Sequence, residues 1–324
     1  MSPSTSPQKA QEPSTTPPAA ADKETTAMSS KVILHKLQTI STPQTMATAV
    51  RIYLIRHGET NWNLKGKIQG GGYDVPLNEN GKEQALKAAK ALEGISFDAV
   101  ASSSLSRAKE TADIVYDYYN KHNNNNNNNS SSKKPLRIVD PGFNEMRFGK
   151  FEGFSGRTKE NEGTDNKAST SEEELFVKHF FEVKANVWKD QEYPFLSRDS
   201  SDPIHPEDEV YRVDCELSGK GESTKMVVDR SIKALSETIS RVLEENDEEN
   251  RTKHVAIVSH GRTNKVLMGA MLDEVNAKTI GQSNANISVL DHPGWGKDGV
   301  DAKGGWIARF INSTDHVKGT TIER

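Results

Sequence analysis

A single cysteine, Cys215, in 324 residues excludes an internal disulfide and any zinc cage built on cysteine. It reads as a bystander thiol in a reducing compartment. Long hydrophobic runs are missing too: the apolar stretches have strand length, so neither a transmembrane helix nor a membrane partner is expected. There is no basic excess. A net charge of −4 and a pI near 6.2 give no general attraction to nucleic acid or anionic lipid, so affinity for phosphate has to come from a local group of cations. Hydrophobic residues make up only 33% of the chain and mean hydropathy is −0.73, too polar for a protein that is globular from end to end.

The polar excess is concentrated in a few places. Residues 1–48 are rich in Ser, Thr, Pro, Ala and Gln and read as a disordered low-complexity tail. The tail has neither the apolar core of a secretory signal nor any arginine, so a cytoplasmic protein is expected, with a Ser/Thr/Ala-rich organellar targeting segment as the alternative. Seven asparagines, Asn123 to Asn129, mark an Asn-rich loop insertion over 121–134. A second, irregular insertion covers 154–220, within which Phe176, Phe180, Val183 and Val187 carry one helix face.

The rest, within 49–320, alternates between strand and helix. Val50 to Ile55 is an apolar strand ending in Arg56-His57-Gly58. Ala85, Ala88, Ala89 and Leu92 mark a helix starting at the Asn78–Gly81 turn; Phe97 to Ala101 is a short buried strand. Leu105, Ala108, Ala112, Val115 and Tyr119 predict a second helix with Ser103 or Ser104 as its N-cap. Leu136 to Val139 is the next strand. A long amphipathic helix through Val228, Ile232, Leu235, Ile239 and Val242 precedes the strand His254 to Val258, which ends in Ser259-His260-Gly261. Asn286 to Leu290 and Trp306 to Ile311 read as a pair of edge strands. Near-continuous apolar strands belong to parallel sheets covered on both faces. The fold class is therefore α/β: a three-layer α/β/α sandwich with a mostly parallel sheet, a single domain with a tail and loop insertions.

Two strands thus end in histidine then glycine. Ligands of open α/β sheets bind at the carboxyl ends of the strands, so His57 and His260 are expected to converge there despite their distance in sequence. Arg107, in the first turn of the helix after the second strand, belongs to the same rim, as does Glu145 after the Leu136–Val139 strand. Two arginines, two imidazoles and helix-end amides suit a dianionic phosphoryl group. No aspartate cluster or closely spaced histidine pair points to a metal, and no cofactor is implied. A neutral imidazole whose one N–H is held by a backbone carbonyl keeps its other nitrogen for in-line attack on phosphorus. Arg56, Arg107 and His260 would spread the transferring charge, and Glu145 would protonate the leaving oxygen and then deprotonate water. His254, opening a buried strand, reads instead as a packing residue.

Arg56-His57-Gly58-Glu59-Thr60-Asn61-Trp62-Asn63 resembles the signature of the histidine phosphatase superfamily, the phosphoglycerate-mutase-like group. The likeness continues in Gln69-Gly70, Pro76 to Gly81, Ser102 to Ala108, Gly149 to Gly153, Gly221 to Ser223, Val258 to Gly261, Asn286 to Leu290 and Asn312 to His316. The resemblance implies that His57 is phosphorylated, that Arg56, Arg107 and His260 complete the phosphate pocket, that Asn63 adds a hydrogen bond and that Glu145 is the proton donor. Gln69 and Gly70 stand with these on the substrate side.

Two departures bear on the substrate. Gln69-Gly70 is followed by Gly71-Gly72-Tyr73, where the family has an aromatic residue and a shorter stretch, so a looser loop is expected. Arg262 replaces an expected small residue and either reaches a second anionic group on the substrate or faces solvent. Phe148 to Phe154 is more similar to the phosphatase branch. The reading is a phosphomonoester hydrolase acting on a small phosphorylated metabolite, with mutase-type transfer or a non-catalytic phosphate-binding scaffold as alternatives; oligomeric state is left open.

Overall fold

The computed structural model describes residues 48–126, 134–149, 152–153, 211–212, 221–222, 224–245, 251–272, 280–295 and 305–318. The tail over residues 1–47 and the expected helix through Phe176 and Val187 lie outside the described residues.

Six strands form the main sheet: β1 (Thr48–Arg56), β3 (Ala99–Ser102), β4 (Leu136–Val139), β6 (Lys253–Ser259), β7 (Ile287–Trp295) and β8 (Ile307–Ser313). Their order is β4-β3-β6-β1-β7-β8. β4, β3, β6 and β1 pair in parallel, while β7 runs antiparallel to both β1 and β8. The expected edge pair is therefore half right, since β8 is an edge but β7 is an interior strand against β1. A second, two-stranded sheet joins β2 (Tyr73–Asp74) to β5 (Tyr211–Arg212). β5 lies in the stretch expected to be irregular, and it ties that insertion to the loop after Gln69.

The alternation of β1 shows why both faces are covered. Ile52 and Leu54 point to one side, where they meet Leu235, Ile239 and Val242 of α4 (Thr224–Glu245) and Leu267 and Met271 of α5 (Gly261–Met271). Tyr53 and Ile55 point to the other, against Ala88 and Ala89 of α2 (Glu79–Ala91) and Ala108 and Ala112 of α3 (Ser106–Asn126). The alanines let α2 and α3 lie close to the sheet. With full burial worth roughly 1.5–3 kcal/mol per large aliphatic side chain, these two clusters carry the stability of the sandwich. A one-turn helix, α1 (Asn61–Leu64), follows β1 directly.

Helix starts match the sequence only in part. Asn78 caps α2 by accepting from the Gly81 amide at 2.8 Å, as its position suggests. For α3 the expected serine cap is replaced: Asp74 accepts from the Ser106 amide and hydroxyl, both at 2.7 Å, and Ser103 is turned into the site described below. α3 also runs through Asn126, four residues into the asparagine run assigned to a loop. Extending an established helix fixes one residue per new hydrogen bond, so even poor helix formers can follow a good amphipathic start. His254 is a packing residue, hydrogen-bonded to the Tyr53 hydroxyl at 2.8 Å. Among the described residues, no helix is long and apolar enough to cross a membrane.

Candidate active site

Register brings the two histidines together. Arg56 of β1 pairs with Ser259 of β6, so the next residue on each strand, His57 and His260, leaves the sheet at the same level on neighbouring strands. The His57 amide donates to the Ser259 carbonyl at 3.0 Å, and the two rings lie 5.1 Å apart between centroids. Ser102 pairs with Val258 in the same way, which sets Ser103 beside them. Residues some two hundred positions apart thus share one pocket.

The ring nitrogens can be assigned from their partners. His57 Nδ1 lies 2.6 Å from the Gly58 carbonyl, which only accepts, so Nδ1 carries the proton and Nε2 keeps the lone pair. Burial, then Arg107 and Arg56, hold the His57 imidazolium well below its ordinary pKa, and the ring is neutral at physiological pH. His260 Nδ1 accepts from Arg107 Nε at 3.2 Å, so its proton sits on Nε2, which donates to Ser103 Oγ at 2.8 Å. Burial, followed by Arg107 and His57, keeps this ring neutral too.

Arg107 is fully buried at the first turn of α3. Its Nη1 and Nη2 donate to the carbonyls of Tyr73 (3.1 Å) and Gly70 (3.0 Å), and burial lowers its pKa to about 10, still protonated at neutral pH. The Gln69 amide lies 2.7 Å from Thr60 Oγ1; turned over, its oxygen accepts from Arg107 Nε at 3.1 Å and Nη1 at 3.2 Å. Asn63 closes the capping box of α1 with Thr60, and its Oδ1 accepts from Asn284 Nδ2 at 3.0 Å. Arg56 Nη1 donates to the Gln282 carbonyl. The hydrogen-bond partners of Arg107 are neutral, so they hold its guanidinium in place without cancelling the positive charge it brings.

Glu145 approaches from beyond β4 and meets the start of α5. Its Oε1 accepts from the amides of Met146 (2.9 Å) and Thr263 (3.0 Å) and from Thr263 Oγ1 (3.1 Å), while Oε2 accepts from the Arg262 amide (3.1 Å). His260 occupies the N-cap position of α5 without a side-chain cap, and Glu145 supplies the missing acceptor for the next amides. The guanidinium of Arg262 has its pKa lowered by burial, with Glu145 opposing; Lys265, one turn on, is lowered by burial and by Arg262 and Arg56.

The glycine loop is the opposite of loose. Gly70, Gly71 and Gly72 are buried, and a Cβ on Gly70 would lie 2.3 Å from Glu152 Oε1 and one on Gly71 2.4 Å from the Glu145 carbonyl. Glycine is used here for close approach, with the Gly71 amide donating to the Met146 carbonyl at 3.1 Å. Every residue expected at the site, Arg56, His57, Asn63, Gln69, Gly70, Arg107, Glu145, His260 and Arg262, borders this one rim. Sequence reasoning missed Ser103 as a histidine partner, Asn284, whose Nδ2 also reaches the His57 carbonyl at 3.3 Å, and the buried Glu152. Ser103 did leave a signal: it stands one residue past the end of β3, the place that His57 and His260 hold on β1 and β6. Asn284 left none. Among the described residues, no group of three or more His, Cys, Asp or Glu is placed to hold a metal ion.

The comparisons with known proteins agree with this geometry. The family model of the histidine phosphatase superfamily (branch 1) matches residues 52–189 and 180–301. The chain is 45% identical over 67 residues to the uncharacterized phosphatase PhoE of Bacillus subtilis (strain 168), a stretch covering 21% of this chain and about a third (34%) of that protein. It is 25% identical over 224 residues to the 2,3-bisphosphoglycerate-dependent phosphoglycerate mutase of Streptococcus uberis, covering 68% and 82% of the two chains. A 76-residue match to the 2-carboxy-D-arabinitol-1-phosphatase of Triticum aestivum is 40% identical and covers 24% of this chain and 15% of that one. Among solved structures, mycobacterial hydrolase 2 superposes with a TM-score of 0.56 at 20% identity, over 84% of this chain and 96% of that one, which shows the shared fold. With a family model spanning most of the ordered core and both histidines of its pocket in contact, the chain belongs to the histidine phosphatase superfamily.

Proposed function

We propose that this protein is a phosphomonoester hydrolase that passes the phosphoryl group through His57 to water. The observation that carries the reading is the neutral His57 ring, its Nδ1–H tied to Gly58 and its Nε2 left as the nucleophile, beside His260 and Arg107. Nε2 attacks phosphorus in line; the N–P bond forms as the ester P–O bond breaks. Arg56, Arg107 and the Nε2–H of His260, released from Ser103, take the charge of the non-bridging oxygens. Asn63 and Gln69 line the substrate side. Glu145, ionised among these donors, takes the proton of a monoanionic phosphomonoester on Oε2, its less engaged oxygen, and passes it to the leaving oxygen; it then takes one from the water that cleaves the N–P bond and frees phosphate. Fixed cations do the work a metal would do elsewhere, so the reaction is proposed to run without one.

The substrate is proposed to be a small phosphorylated metabolite that carries a second anionic group. Arg262 and Lys265 support this, as a cationic pair one turn apart beside the phosphate pocket. The names of two relatives, a phosphoglycerate mutase and a 2-carboxy-D-arabinitol-1-phosphatase, also describe phosphorylated acids. Arg262→Ala should raise KM for such acids more than for 4-nitrophenyl phosphate; an equal effect on both removes Arg262 from substrate recognition.

Mutase-type transfer is the second reading, favoured by the match that spans 82% of a phosphoglycerate mutase. Rapid quenching into alkali, in which a phosphohistidine survives, with labelled substrate and a chelator present, tests both. Label on His57 discharged by water supports the hydrolase, discharge to a phosphorylated acceptor supports the mutase, and tight phosphate binding without label leaves a scaffold.

A further inference from the structure

The proposed chemistry leaves unused a buried acid that lies against the glycine loop of the pocket. Glu152 is 1% exposed and lies between two glycines of positive φ, Gly149 (59°) and Gly153 (89°), a turn that brings its side chain inward. Its Oε1 accepts from the Phe148 amide at 2.9 Å, and Oε1 and Oε2 accept from the Gly72 amide at 3.3 and 3.0 Å. Gly70 passes so close that any side chain there would collide with the carboxylate. The loop so gripped, Gly70 to Tyr73, supplies the two carbonyls that hold the Arg107 guanidinium.

We propose that Glu152 is a positioning residue of the phosphate pocket: its carboxylate seats the Gly70–Tyr73 loop against Phe148, and the loop's carbonyls aim Arg107 at the phosphoryl group. The proposal rests on the reading of this pocket as a phosphate site. It explains the glycines at 70 and 71, since a Cβ on Gly70 would meet Glu152 and the Met146 carbonyl and one on Gly71 the Glu145 carbonyl, while one on Gly72 would lie 3.0 Å from Glu152 Oε2. It also explains the burial of a carboxylate to which the proposed reaction gives no proton to move. Every hydrogen-bond partner the structure gives the carboxylate is a donor, so the geometry fits the ionised form.

Among the described residues, the charged groups facing Glu152 are Arg107 from α3 and Glu145 from the segment beyond β4; the glycine loop faces it with the Gly72 amide. Burial, with Glu145 adding to it, raises its pKa to about 7, against the pull of the two amides and Arg107. A proton added at that point meets only donors and weakens the grip on Gly72. The grip is therefore full above pH 7 and relaxes as pH falls through it. His57 and His260, held neutral, do not titrate in that window.

Sulfate binding to the full-length protein between pH 5.5 and 9 tests this by calorimetry, because sulfate stays a dianion throughout and no turnover is needed. Wild-type affinity should fall about 10-fold from pH 8 to pH 6, as one charge-assisted contact to Arg107 is misaligned. Glu152→Gln, which keeps size but sets an NH2 against the amides, should bind about 10-fold more weakly at pH 8 with no further loss at pH 6. Its kcat on 4-nitrophenyl phosphate should fall by about 10²-fold. Glu152→Asp should restore the pH dependence in part. Flat wild-type affinity, or Glu152→Gln with unchanged affinity and kcat, overturns the proposal even if the variant folds poorly, since the wild-type profile stands alone. Absence of label on wild-type His57 would count against the hydrolase reading and leaves the sulfate result to be judged separately.

Discussion

Strand β1 carries an arginine towards each end, and the two ends handle buried charge in opposite ways. At Arg51, Nε and Nη2 donate to Asp291 Oδ1 and Oδ2 at 2.6 and 2.8 Å, and Arg309 Nε adds a third bond at 2.8 Å. Nearby, Arg251 makes a bidentate pair with Asp98 at 2.6 and 2.9 Å. At the other end Arg107 is held by two backbone carbonyls and a neutral imidazole, with Glu145, Asp74 and Glu152 acting on it only through space. A carboxylate satisfies hydrogen bonds and cancels charge; a carbonyl satisfies the bonds and leaves the charge in place. The first end is a finished ion-pair network, and the second keeps positive charge available to an anion.

The largest test of that contrast is His57→Ala. The nucleophile is lost while the arginines stay, so kcat should fall on the order of 10⁴-fold or more with sulfate affinity little changed. Retention of more than about a hundredth of the rate would show that another group attacks phosphorus.

Arg107→Met comes next. The kcat should fall by about 10²–10³-fold, as expected for removal of one preorganised donor to the developing charge. Stability should change little: the guanidinium is charged and desolvated, and the freed carbonyls of Gly70 and Tyr73 can turn to pocket water. A large drop in Tm with activity retained would reverse the roles assigned to the two ends.

Glu145→Gln has a smaller, substrate-dependent effect. Hydrolysis of alkyl phosphates should slow by about 10²-fold while 4-nitrophenyl phosphate loses only a few-fold, because a good leaving group needs little protonation. Equal losses on both would make Glu145 the cap of α5 and nothing more.

The same contrast explains what could be read in advance. The rim was legible because parallel strands buried on both faces are near-continuous apolar runs, and Val50–Ile55 and Val255–Val258 lead into Arg-His-Gly and Ser-His-Gly; neighbouring register then does the rest. Contacts made by single polar side chains across long sequence separations were not legible. Asp74 taking the cap of α3 from the serines, Glu152 reaching Gly72 across eighty residues, and β7 inserting beside β1 leave no local pattern. The glycine loop misled for a related reason. Glycine's freedom is a property of the unpacked chain, and it gave no sign that Glu152 and Met146 lie against both sides of the loop.

Arg51→Met probes the paired end and should not affect the chemistry. Arg56 lies five residue steps along the strand from Arg51, roughly 17 Å at about 3.3 Å per residue, so kcat and sulfate affinity per folded molecule should be unchanged. Stability should not be spared. Asp291 would remain 6% exposed with Arg309 as its remaining charged partner, and removing one member of a buried pair destabilises by about 3 kcal/mol. The pH dependence fixes the cause. Burial pushes the Asp291 carboxyl up, but hydrogen bonds from Arg51 and Arg309 hold it below 3.8, so its contribution is present above that value and is lost as pH falls through the folded pKa. The gap between wild type and variant in urea unfolding should therefore be full at pH 7 and shrink below about pH 4. A gap independent of pH would mean that Arg51 acts by packing alone, and the two ends of β1 would then differ in chemistry at the rim only.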